Sequence, residues 1–226
     1  GTRPGPIMAA TDEFVIAARG RGGHAALPHK TVDPIVIACE IVGMLQTVIS
    51  RQKDPVDTAV LSVTQIHAGD AYNVIPDEAV IRGTVRTFST DVLDQIEAQM
   101  RRLAETVPQA FGGSGALSFY RAYPPLINHA EQTEFASGVA ERAFGGDKVR
   151  REIPPVGGAE DFSFFLEQVP GTYVFVGNGE GDHREASYHG MGPCQLHNPN
   201  YDFNDALLPV GATYWVKLVE AFFARA

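Results

Sequence analysis

The chain has 226 residues, 44% of them hydrophobic and 20% charged. This is the ordinary globular balance, with room for one or two domains of roughly 100–200 residues each. Its 18 Lys and Arg stand against 27 Asp and Glu, a formal charge of −9, which argues against nucleic acid or an anionic membrane surface as partner, since both require a basic footprint.

The opening run, Gly1-Thr2-Arg3-Pro4-Gly5-Pro6-Ile7-Met8, has no continuous apolar core and does not read as a signal peptide. It lacks an initiator Met and leads straight into a strand, so it is expected to be the interior of a longer chain. No stretch is expected to approach the roughly 18 apolar residues of a membrane span. Two cysteines, Cys39 and Cys194, are too few for a disulfide framework and suit a reducing, cytoplasmic compartment.

Residues 13–18 are apolar and partly β-branched, which predicts a strand. A glycine-rich turn follows, Arg19-Gly20-Arg21-Gly22-Gly23-His24. Asp33-Pro34 then supplies an N-cap acceptor and a proline for the first turn of a helix. Ala38, Ile41, Val42, Leu45, Val48 and Ile49 recur at three- and four-residue spacing along it. Residues 58–67 and 78–88 predict two further strands, joined by a polar connection that ends in Asn73-Val74-Ile75-Pro76. Leu93, Ile96, Met100, Leu103 and Val107 mark a second amphipathic helix over 91–111, and residues 116–123 a fourth strand. The order β-α-β-β-α-β is that of a ferredoxin-like domain over residues 12–123.

The remainder has a different texture. Helices are expected at 132–144 and 205–223 and a short buried strand at 172–176. An irregular stretch from 177 to 204 carries His183, His189 and His197. One strand among helices cannot pair its own backbone, so its sheet partners must come from elsewhere.

Several residues could carry chemistry. His24 is presented by a glycine turn and followed by small residues, which permits close approach to a ligand, although a loop histidine with no role fits the same string. Asn73 is either a turn residue bonding its own backbone or an amide donor to a developing oxyanion. Arg86 shares a strand face with Val80, Arg82 and Thr84, either as a solvated face or as a fork for a substrate carboxylate. Gly157 and Gly158 could offer backbone N–H groups to an anion, and Glu160-Asp161 beside them could simply begin a helix. Cys194 and His197 have a C-x-x-H spacing that is too little for a structural zinc site, yet His197 could give one ligand to a site built elsewhere.

Taken in order, Gly20-Arg-Gly-Gly-His24-Ala-Ala-Leu-Pro-His29, Asn73-Val-Ile-Pro76, Gly83-Thr-Val-Arg86, Gly157-Gly-Ala-Glu-Asp-Phe-Ser163 and Leu196-His-Asn-Pro-Asn-Tyr-Asp-Phe-Asn204 resemble the M20 metallopeptidases. The closer likeness is to their amidohydrolase branch of hippurate hydrolases and N-acyl-amino-acid amidohydrolases. The resemblance implies an α/β (α+β) fold. Residues 12–123 would be the ferredoxin-like lid, or dimerisation, domain. Residues 124–226 would be the C-terminal part of a zinc-peptidase-like α/β catalytic domain, and residues 1–11 the end of a preceding catalytic segment.

It further implies two divalent ions (Zn, Mn, Co or Ni), an N-acyl amino acid substrate and a homodimer formed through the lid. His197 would be a metal ligand, His24 and Asn73 would act on the tetrahedral intermediate, Arg86 would bind the substrate carboxylate and Gly158 would contact substrate through its backbone. The role of Glu160 stays unassigned. The family's Cys-x-His pair, further ligands and Glu-Glu pair have no counterpart here, so the chain is expected to be inactive by itself. A ligand-binding or dimerisation module and a catalytically dead homologue are the alternatives.

Overall fold

The computed structural model describes residues 1–179 and 196–224. They divide into two compact units: Pro6–Ile127 with Pro155–Val169, and Gly1–Gly5 with Asn128–Pro154 and the residues from Pro170 onward.

The larger unit is built on four antiparallel strands. β1 (Gly5–Met8) leads into β2 (Thr11–Arg19), and the two-residue β3 (Gly23–His24) follows the glycine turn. Helix α1 (Pro34–Thr47) starts where Asp33 accepts the Ile35 N–H at 2.8 Å with Pro34 in the first turn, and it runs on into a π-helical turn over Val48–Gln52. Then come β4 (Ala59–Ala68), the short β5 (Val74–Ile75) and β6 (Glu78–Thr87). Helix α2 (Thr90–Gln109), β7 (Ser114–Tyr123) and β8 (Leu126–Asn128) complete the series. The main sheet runs β4-β6-β2-β7, the ferredoxin-like order, while β1 pairs with β8 and β3 with β5 as separate ribbons.

The two-residue period of the strands decides what is buried. Phe14, Ile16 and Ala18 of β2 face the helices together with Ala79, Ile81 and Val85 of β6 and Leu117 of β7. Ile16 lies opposite Ile81 on one side and Leu117 on the other. Ile37, Ala38, Ile41 and Leu45 of α1 close over this face with Leu93, Ile96, Met100 and Leu103 of α2. Gly83 is required here because a Cβ would meet the Ser62 carbonyl at 2.0 Å and the Phe14 ring at 2.5 Å. The opposite face carries Val80, Arg82, Thr84 and Arg86, as the alternation predicts.

In the smaller unit, α3 (Ala130–Phe144) packs against α5 (Leu208–Phe223), with the Tyr214 hydroxyl donating to the Ala136 carbonyl at 3.0 Å. Arg151 grips Glu141 with two guanidinium nitrogens, at 2.6 and 2.7 Å. A short α4 (Phe162–Gln168) belongs to the larger unit.

Two expectations need correction. Residues 172–176 form no strand. Among the described residues no ladder receives them; Phe175 exchanges a pair of backbone bonds with Gly1, and Tyr173 is held by the Asn128 amide. Nor is the chain free of long apolar segments. Pro34–Gln52 and Asp205–Phe223 are each 19 residues and apolar enough to cross a membrane. The reading by uninterrupted runs missed them because single polar residues break each one. The first lays its apolar stripe on the sheet, whereas Trp215, Phe222 and Phe223 of the second stand exposed.

Candidate active site

The glycine turn owes its composition to close approach. A Cβ on Gly20 would lie 2.0 Å from the Val32 carbonyl oxygen, and one on Gly22 would lie 2.5 Å from that of Ile75. Neither glycine has the positive φ that a turn of this kind often demands. Asp77 ties the turn down: its carbonyl accepts the Gly20 N–H at 2.9 Å and its Oδ1 accepts the Gly22 N–H at 2.8 Å.

The result is the β3–β5 ribbon, in which Gly23 pairs with Ile75 and His24 with Val74. One residue further along, the Ala25 N–H donates to the Asn73 carbonyl at 3.0 Å. His24 and Asn73, remote in sequence, therefore occupy successive rungs at the tip of the ribbon, both exposed. Tyr72, next to Asn73, is fully exposed as well.

The His24 ring is oriented by its own loop. The Ala26 N–H donates to Nδ1 at 3.1 Å, which assigns Nδ1 of the neutral imidazole as an acceptor and leaves Nε2–H as a donor.

Arg86 sits at the other end of the sheet, opposite Val60 of β4. From Glu78, near the ribbon, to Arg86 is about 26 Å of strand at ~3.3 Å per residue. It is half-buried, and no hydrogen bond or ion pair of its guanidinium is found among the described residues. The ribbon thus holds the backbones of His24 and Asn73 at one tip, and Arg86 lies apart from both.

Gly158 belongs to the larger unit, where its carbonyl accepts the Ala9 N–H at 2.9 Å and a Cβ would meet the Met8 side chain at 3.3 Å. Glu160 lies just ahead of α4, its carbonyl accepting the Ser163 N–H at 3.2 Å. Asp161 occupies the N-cap position without a side-chain capping bond. His29 is exposed in a short helical turn over Pro28–Lys30.

His197 belongs to the smaller unit. It is exposed, with φ of 71°, the one non-glycine in the left-handed region among the described residues. A backbone held in that region marks a constrained site. The following loop is anchored where Asn204 donates twice to Asn178, its backbone N–H to Oδ1 at 2.9 Å and its side-chain amide to the carbonyl at 3.1 Å. The C-x-x-H pairing of His197 with Cys194 and the histidines 183 and 189 lie outside the described residues. Among those described, no three His, Cys, Asp or Glu side chains cluster as a metal site would require. A single exposed imidazole on a fixed turn fits one ligand position and no more.

Sequence reasoning missed Asp77, the clamp on the glycine turn. The signal was present in Pro76-Asp77, directly after Asn73-Val74-Ile75, because an Asp beside a turn commonly accepts backbone N–H groups.

Residues 12–110 match the model of the peptidase dimerisation domain of the M20 family. The chain is 34% identical over 218 residues to an N-acetylcysteine deacetylase of Bacillus subtilis, covering 96% of this chain and 53% of that protein. The chain belongs to the M20 peptidase family. Another M20-type relative, a hippurate hydrolase of Campylobacter jejuni, is 34% identical over 216 residues, covering 96% of this chain and 53% of its own. A solved dinuclear metal-binding M20 peptidase from Bacillus subtilis superposes with a TM-score of 0.73 at 30% identity, over 96% of this chain and 51% of that one. The relatives are amidohydrolases and peptidases, so the family is one of enzymes. This M20 chain spans about half the length of the curated relatives it matches.

Proposed function

We propose that the chain serves a metal-dependent amidohydrolase that cleaves N-acyl amino acids, hippurate-like compounds among them. The observation that supports the reading is the β3–β5 ribbon, whose exposed tip holds His24, opposite Val74, and Asn73, whose carbonyl accepts the Ala25 N–H. Amide hydrolysis passes through a tetrahedral oxyanion. The Nε2–H of His24 and the side-chain N–H of Asn73 are donors of the kind that stabilise it, each worth ~3–4 kcal/mol when well placed. Arg86 takes the substrate carboxylate through its planar fork, and Gly158 offers a backbone contact. His197 would hold a divalent metal together with ligands from beyond the described residues. Such a metal, when bound, polarises the scissile carbonyl and lowers the pKa of bound water. The 226-residue chain by itself is inactive in this reading, since one ligand does not make a dinuclear site.

The length of strand between His24 and Arg86 supports a homodimer in which one active site takes its imidazole from one copy and its guanidinium from the other. Subunit mixing tests this. In a complete enzyme carrying these residues, His24→Ala and Arg86→Ala each abolish turnover of hippurate. Mixed and re-equilibrated, they should recover about a quarter of wild-type activity, because half the dimers are hybrids with one intact site of two. No recovery would overturn the shared site. Hippurate turnover by the purified 226-residue chain would overturn its inactivity.

A further inference from the structure

Asp12 carries an inference that the proposed chemistry does not use. The β2 alternation places it on the core face with Phe14, Ile16 and Ala18, an unusual position for a carboxyl. It has no solvent exposure, and both carboxyl oxygens lack a hydrogen-bond partner. It lies where the β2–β7 register slips, between Thr11 and Asp12. A bulge of this kind re-aims a side chain at the rim of a sheet. Directly across the ladder is Arg121 of β7. Residues opposed in this way share a face with Cβ atoms about 5 Å apart, so Arg121 is the natural partner of Asp12.

Arg121 is engaged elsewhere. Its guanidinium bonds Asp94 at 2.7 Å and Glu97 at 2.7 Å, both on α2. The other charges acting on Asp12 are Arg86, on the opposite face of β6, which favours its ionisation, and Glu97, which opposes it. Glu167 of α4 lines the same cleft of ≈220 Å³, with Thr90, Leu93, Tyr123 and Phe164. An ionised Asp12 has no hydrogen-bond partner among the described residues in this arrangement. The nearest remedy is a turn of the Arg121 side chain away from α2.

We propose that Asp12 is a proton-gated latch at the end of the sheet where the chain enters by Ala9-Ala10 and leaves by Pro124-Pro125. With the carboxyl neutral, Arg121 clamps β7 to α2. When it gives its proton to solvent, the carboxylate draws Arg121 from Asp94, and the clamp between β7 and α2 loosens. Burial is the largest influence on this group and pushes its pKa up to about 6, so the change falls within a physiological pH range.

Carboxyl carbon NMR of the 226-residue chain between pH 4 and 8 tests the latch. Asp12 should titrate near 6, and the Asp94 carboxyl signal should respond with that same midpoint as Arg121 leaves it. In Asp94→Asn, where Arg121 is freer, the Asp12 midpoint should fall by at least half a unit. In Asp12→Asn, if it folds, that response of the Asp94 signal should vanish; the wild-type measurement decides the matter without that variant. An Asp12 midpoint near 4, or an Asp94 signal indifferent to Asp12, would overturn the proposal.

Discussion

The Ala25 N–H donates to the carbonyl of Asn73 at 3.0 Å, and this bond brings the backbone of Asn73 to the residue that follows His24, some fifty positions away in sequence. Because the side chains of His24 and Asn73 are exposed, their removal should leave the fold alone, within about 0.5 kcal/mol of wild type. In a complete enzyme, His24→Ala and Asn73→Ala should each lower kcat by ~10²–10³, as expected for a lost oxyanion donor. Steady-state kinetics beside thermal melts check this; a change confined to KM would assign these residues to ground-state binding.

The glycine turn is sensitive to a single methyl group. Gly22→Ala sets a Cβ against the Ile75 carbonyl, 2.5 Å away in the present geometry. The ribbon must shift, at an overpacking cost of about 1–3 kcal/mol. Amide exchange at His24, Ala25 and Val74 should accelerate while the four-stranded sheet keeps its protection. Unchanged exchange at the ribbon would mean that the turn tolerates the methyl.

Asp12 also makes stability depend on pH. Its folded pKa of about 6 lies above the ordinary aspartate value of 3.8, so between these values the folded state holds the proton more tightly than the unfolded chain. Its contribution is most favourable below pH 4, declines through pH 4 to 6 and is then constant. The cost at pH 7 is on the order of 2–3 kcal/mol. Denaturant unfolding of wild type and Asp12→Asn at pH 4 and pH 7.5 should therefore show the variant gaining relative stability at the higher pH. A difference independent of pH would contradict this assignment.

Ile81, fully buried at the centre of the sheet between Ile16 and Ile66, is the site where truncation should hurt most. Ile81→Ala should cost about 2–5 kcal/mol. A loss under 1 kcal/mol by urea unfolding would mean the core closes over the gap.

The lid-type domain was legible in the sequence because its signals are local. Asp33-Pro34 caps α1 as read, the three-and-four spacing of α1 and α2 is their buried stripe, and the strand alternation finds the core face. His24, Asn73 and Arg86 were legible as separate candidates, but which of them meet depends on strand register across some fifty residues. The segment 172–176 misled for the complementary reason: β-rich residues become a strand only when a ladder receives them, and among the described residues the segment is held instead by separate bonds to Gly1, Thr2 and Asn128. Asp12 could have been flagged by its place on an apolar alternation. Its missing partner could not, since that depends on where the side chain of Arg121 turns.

The β3–β5 ribbon closes a loop of about fifty residues with only two residue pairs. Its entropy of closure is met by the sheet beneath it, through the two bonds to Asp77. It must therefore form after the sheet and come apart before it. Warming should extinguish the proposed chemistry several degrees before far-UV circular dichroism registers any unfolding, so a heat-inactivated sample would still look folded.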